Sequence, residues 1–130
     1  MSDFCYHNLM QEIGITSDLL ADILAGRKTI EVRLGKPKFI KLRVGDKLSL
    51  REDIWEHGQL IESQPDQAVI RITQLLYFES FAELFSAVYF KSALPSANSV
   101  EDAIDRYYQY YSPADEAEYG VIAITLVIEP

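Results

Sequence analysis

The 130-residue chain has one cysteine, Cys5, two histidines and one tryptophan. A lone cysteine cannot close an internal disulfide, and with only two histidines it offers no zinc-ligand spacing. No metal centre is expected, and a reducing, cytoplasmic setting fits. There is no Walker loop and no GxGxxG, so no cofactor is expected either. Neither His7 nor His57 completes a Ser-His-Asp or Cys-His pattern. No apolar run reaches the length of a membrane span, and the opening MSDFCYHNLMQE lacks the basic-then-apolar pattern of a secretory signal. Positive charge is scarce: 12 Lys and Arg face 20 Asp and Glu, for a net charge of -8. That balance argues against wrapping long duplex DNA.

What charge there is lies unevenly. Nine of the twelve basic residues fall between Arg27 and Arg51, opposed there only by Glu31 and Asp46. A local basic face on an acidic body suits a small anionic or nucleotide-like ligand; scattered, solvated positions are the plainer reading. Hydrophobic content of 48% is ample for a core, and the length fits a single domain, 1–130.

Along the chain, residues 4–13 read as a short strand or an irregular arm, and 1–15 as an N-terminal arm. Thr16, Ser17 or Asp18 caps a helix with Leu19, Leu20, Ile23 and Leu24 on its apolar face. Gly26 stops it in the left-handed region. TIEVRL then alternates: Thr29, Glu31 and Arg33 share one face and Ile30, Val32 and Leu34 the other. Residues 35–45 read as a loop with a short strand around Phe39 to Leu42. DKLSLR is a second alternating strand, 55–66 a polar turn region, and 67–78 the longest strand. Ser80 and Glu83 box the start of a helix to about Phe90. A further helix covers 103–111 and ends at Ser112 and Pro113, and 119–128 is a β-branched final strand. Strands outnumber helices without regular crossovers, which gives α+β with a mainly antiparallel, barrel-like sheet.

The chemistry concentrates around the first strand. Lys28 sits between a helix stop and a strand; it is a base or anion holder in a cleft, or an ordinary turn lysine at the surface. Glu31 can accept a proton from a base edge or activate water, and Arg33 can grip a phosphate or carbonyl. Thr29 adds a hydroxyl on their face, and Arg27 completes the corner after Gly26. Among the aromatics, Ile104, Tyr107, Tyr108 and Tyr111 form a core stripe and leave Tyr110 more exposed. Tyr119, opening the last strand beside Gly120, is a site candidate. Trp55 reads as packing over a loop.

Gly26, Lys28, Thr29, Glu31 and Arg33, followed by Gly45 and Asp46 and by the closing YGVIAITL, resemble the ASCH domain, a small relative of the PUA domain. The likeness spans roughly residues 18 to 128. It implies a PUA-like β-barrel with flanking helices and a cleft where the motif residues gather. It also implies binding of single-stranded RNA or a modified nucleoside, with Gly26, Arg27, Thr29, Arg33 and Tyr119 as contacts. The alternative it carries is a small metal-independent hydrolase, a ribonuclease or modified-nucleoside amidohydrolase, using Lys28 and Glu31. In the family's amidohydrolases the motif lysine is catalytic, and a catalytic threonine stands where this chain has Glu31.

Overall fold

The computed structural model describes residues 10–130. Cys5 and His7 lie outside that range. Five strands and six helices are found among the described residues. They run β1 (Gln11–Thr16), α1 (Ser17–Leu24), β2 (Ile30–Leu34), α2 (Pro37–Ile40), β3 (Lys47–Glu56) and β4 (Gln59–Phe78). Then come α3 (Phe81–Ala87), α4 (Phe90–Ala93), α5 (Val100–Tyr108), α6 (Pro113–Tyr119) and β5 (Val121–Ile128). None of these helices is long and apolar enough to cross a membrane.

One sheet holds all five strands in the order β1-β3-β4-β5-β2. Only β1 and β3 pair in parallel; the other three pairings are antiparallel. Both faces are covered. On one, Ile13, Ile15, Leu48, Leu50, Ile70, Ile72, Ile122 and Ile124 pack with Leu20 and Ile23 of α1 and Phe39 of the α2 segment. On the other, Val32, Leu34, Val121 and Ala123 meet Phe81, Leu84, Phe85, Ala103 and Tyr107 from α3 and α5. Burial on both faces explains why β5 reads as an unbroken apolar run rather than an alternation. Each large aliphatic residue sealed in these layers contributes about 1.5–3 kcal/mol.

The expected barrel is not closed. β1 and β2 are the two edges of the sheet, and no ladder joins them among the described residues. The curl nevertheless brings the edges close enough for Arg33 on β2 to donate from Nη2 to the Gly14 carbonyl on β1 at 2.7 Å. A side chain, not a backbone ladder, spans the seam.

Several local expectations also change. The segment 35–45 contains the short helix α2 instead of a strand, with Pro37 in its first turn. The polar stretch 55–66 is no loop: β3 and β4 continue through it as a hairpin, turning at His57 and Gly58, both at positive φ. That backbone is the type I′ geometry that tight hairpins prefer. The helix begun by the Ser80 cap ends at Ala87, short of Phe90. Ser112 and Pro113 begin a helix as well as follow one: the Ser112 side chain accepts from the Asp115 N–H, and Pro113 takes the first turn of α6. Gly26 does adopt the left-handed conformation, with φ of 80°. Leu24, expected on the apolar face of α1, is 54% exposed.

Candidate functional site

Alternation places Glu31 and Arg33 on one side of β2, and the ladder identifies that side. Glu31 is directly opposite Ile124 and Arg33 opposite Ile122. Opposed residues share a face, so this carboxylate and guanidinium project from the face that is aliphatic across β5. Glu31 is buried. A charge there survives only if paired and hydrogen-bonded, and its two oxygens are: Lys28 Nζ lies 3.0 Å from Oε1, and Arg33 Nε donates to Oε2 at 2.7 Å.

Lys28 itself is 1% exposed. Besides Glu31, its ammonium donates to the Ile30 carbonyl at 2.7 Å and the Ala93 carbonyl, at the end of α4, at 2.6 Å. Three partners match its three N–H bonds. Burial alone would raise the Glu31 carboxyl, but Lys28 and Arg33 outweigh it and hold the group down to about 2. Burial likewise opposes the Arg33 charge, and Glu31 overcomes it, raising the guanidinium further.

These residues open onto a cavity of about 570 Å³ that lies in the seam between the sheet edges. Gly14, Ile15 and Thr16 of β1 line one side, and Glu31, Val32 and Arg33 of β2 line the other. Lys28 is not among the lining residues; it stands behind Glu31. The far wall is aromatic, built from Tyr107, Tyr110 and Tyr111. Phe81 holds two of these rings by stacking, Tyr107 at 5.2 Å and Tyr111 at 5.9 Å between centroids. The Tyr107 hydroxyl is buried without a hydrogen-bond partner among the described residues. Burial, then the Glu31 charge, pushes its pKa well up, so it remains a neutral O–H.

A second polar group completes the floor. Asp53 on β3 accepts from Arg51 through both oxygens, at 2.7 and 2.9 Å, and from Ser63 Oγ at 2.9 Å. The Arg51 hydrogen bonds are the main reason its carboxyl is held low. Gly14 permits this packing: a Cβ there would sit 2.0 Å from Asp53 Oδ2 and 2.2 Å from Arg51 Nη2.

Of the residues named from sequence, the fold brings Lys28, Glu31 and Arg33 together. It leaves the others elsewhere. Thr29 is exposed, with its backbone bonded to Ser92 and Leu126. Arg27 pairs with Asp22 at 2.8 Å, and Gly26 is exposed beside it. Tyr119, at the end of α6, lies under Lys36, whose Nζ is 5.6 Å from the ring centroid. None of these four lines the cavity. Asp53, Trp55, Gln109 and Arg106 line it without having been singled out for it from sequence. The signal for two of them was present: Arg51, Asp53 and Trp55 continue the alternation of DKLSLR past the point where that strand was expected to stop. Tyr108 leaves the expected core stripe and donates to Glu116 at 2.6 Å, while Tyr110 is 72% exposed.

No family model and no curated protein matches the chain. Solved structures do. Hypothetical protein PH0355, known from a crystal structure, is 26% identical with a TM-score of 0.78, over 93% of this chain and 100% of that one. Protein PF0455 from Pyrococcus furiosus, solved by NMR, is 26% identical with a TM-score of 0.71, over 92% of this chain and 97% of that one. Protein EF3133 from Enterococcus faecalis V583, assigned to DUF984, is 16% identical with a TM-score of 0.54, over 98% and 88% of the two chains. The chain therefore shares its fold, over most of its length, with these three proteins.

Proposed function

We propose that the chain is a binding module that takes a nucleotide-like ligand, a modified nucleoside or an unpaired RNA base, into the seam cavity. The ASCH resemblance supplies the ligand class, and the curled sheet with its bridged edges is compatible with the PUA-like architecture that resemblance implies. One observation carries the reading: a carboxylate and a guanidinium, fixed to each other on the rim of an aliphatic core, face an aromatic wall across a cavity of about 570 Å³. A planar base fits such a space. Glu31 accepts from an amino or imino edge, Arg33 donates to a ring nitrogen or carbonyl, and the tyrosine wall covers the ring. The volume lies in the range of roughly 300–1,000 Å³ typical of small-molecule sites.

Two observations favour binding over hydrolysis. A carboxylate held down to about 2 is a weak proton acceptor, which suits recognition better than general-base work. Lys28 has all three N–H bonds occupied and stands behind the cavity wall. Its role in this reading is to hold Glu31 charged and in place.

The test is a mass-spectrometric screen of the purified protein against modified nucleosides and short RNAs, scoring retention and products separately. Retention of an intact ligand is expected. Steady conversion to a new product would replace binding with the hydrolase reading, and no retention of any member would remove both.

A further inference from the structure

The hairpin tip carries the chain's single tryptophan over the cavity. The last pair between β1 and β3 is Thr16 with Asp53. Beyond it, among the described residues, β3 has no paired neighbour on that side, yet it continues to Glu56 alongside β4. Trp55 lies two residues past Asp53 and lines the cavity with it. Register shifts in the β3–β4 ladder fall before this segment, between Leu50 and Glu52, and within it, between Ile54 and Trp55. The first is where β4 carries Pro65 and Asp66, the latter at a φ of 58°. Bulges of this kind bend a strand and re-aim its side chains.

Trp55 is 52% exposed, and Tyr110 is 72% exposed. Single exposed aromatics need no explanation. These two line the same cavity, from different elements. Neither is paired with another ring among the described residues, whereas Tyr107 and Tyr111 deeper in the wall are stacked on Phe81. Two large rings that line the cavity are thus left exposed and unstacked.

We propose that Trp55 and Tyr110 form an aromatic clamp that stacks on the planar ring of the bound ligand. The inference rests on the reading of the cavity as a nucleobase site and adds the residues that grip the ring's faces. It also narrows the ligand: the clamp selects a flat heteroaromatic ring and gives nothing to a bare sugar phosphate. Stacking of a base on an aromatic side chain is sequence-tolerant, so the clamp sets affinity and leaves choice among bases to the floor.

The experiment titrates the full-length protein with adenosine, guanosine, cytidine, uridine and their base-modified forms. Ribose 5-phosphate is the non-aromatic control. Affinity is read by calorimetry and the environment of Trp55 by its emission. For a nucleoside that binds, the tryptophan emission changes on saturation, Trp55→Ala and Tyr110→Ala each weaken binding roughly 10- to 100-fold, and Trp55→Phe retains most of it. Both side chains are exposed, so circular dichroism should report an unchanged fold. If a nucleoside binds and both alanine variants bind it as the parent does, or the emission is unmoved at saturation, the clamp is wrong while the cavity reading stands. If no nucleoside binds the parent protein, the cavity reading falls and the clamp with it.

Discussion

Lys28, Glu31 and Arg33 form a buried charge cluster in which Glu31 and Arg33 line the cavity and Lys28 stands behind them. Removing Lys28 takes one of two cations from the buried Glu31 and strips the donor from two carbonyls. Lys28→Met is therefore expected to cost on the order of 3 kcal/mol, measured by chemical denaturation, because two backbone carbonyls and one Glu31 oxygen lose their donor together. A surface lysine would cost almost nothing. The pH dependence follows from Glu31. Its folded pKa of about 2 lies below the ordinary value of 4.5, so its stabilisation is complete above about pH 5 and is lost as pH falls toward 2. The stability gap between the parent protein and Glu31→Gln, on the order of 3 kcal/mol at neutral pH, should shrink steadily across that window. A gap independent of pH would mean that the carboxylate is not held by its neighbours. The pairing of Glu31 with Arg33 was legible in sequence, because two residues apart on a strand means one face. The placement of Lys28 behind them was not. It depends on the Ala93 carbonyl, which is 65 residues away along the chain and which no local pattern announces.

Three elements meet at Gly14: the β1 strand that carries it, the β3 strand whose Asp53 and Arg51 press against its α-carbon, and the β2 edge whose Arg33 takes its carbonyl. Gly14→Ala should displace the Arg51–Asp53 pair and destabilise the protein by about 1–3 kcal/mol, read by thermal or chemical unfolding. An alanine tolerated without loss would mean that these side chains relax freely. The β3–β4 hairpin is the element least visible beforehand. Its outer half is exposed and polar on most positions, so there is no alternating burial to reveal a strand, and Pro65 reads as a break. The His57-Gly58 turn was the available signal. The α6 helix was hidden for a different reason: Ser-Pro serves equally as the end of one helix and the cap of the next. Strands with a buried face, β2, the first half of β3 and β5, were readable because core burial imposes a period or an apolar run.

For the whole molecule, the basic segment between Arg27 and Arg51 does not converge on the cavity. Lys36, Lys38, Lys41, Arg43 and Lys47 are exposed and none lines it. The two cations that do, Arg33 and Arg106, each already hold a carboxylate, Glu31 and Asp102. Among the lining residues the charges balance, Arg33 and Arg106 against Glu31 and Asp53. Nucleoside affinity should consequently change less than about twofold between roughly 50 and 500 mM salt, whereas a base presented within an RNA strand should bind with a steeper salt dependence if its backbone tracks the lysines outside. The open sheet belongs to this scale too. Composition and strand count gave α+β, but whether five strands close depends on what fills the seam, and here side chains and a cavity fill it. The most direct measurement is calorimetric titration of a retained nucleoside into the parent protein and into Glu31→Gln at neutral pH, with folding of both checked. The account predicts measurable binding to the parent and a loss of at least about tenfold in the variant. Equal affinity in the two would contradict it, since the carboxylate at the centre of the site would then be reading nothing.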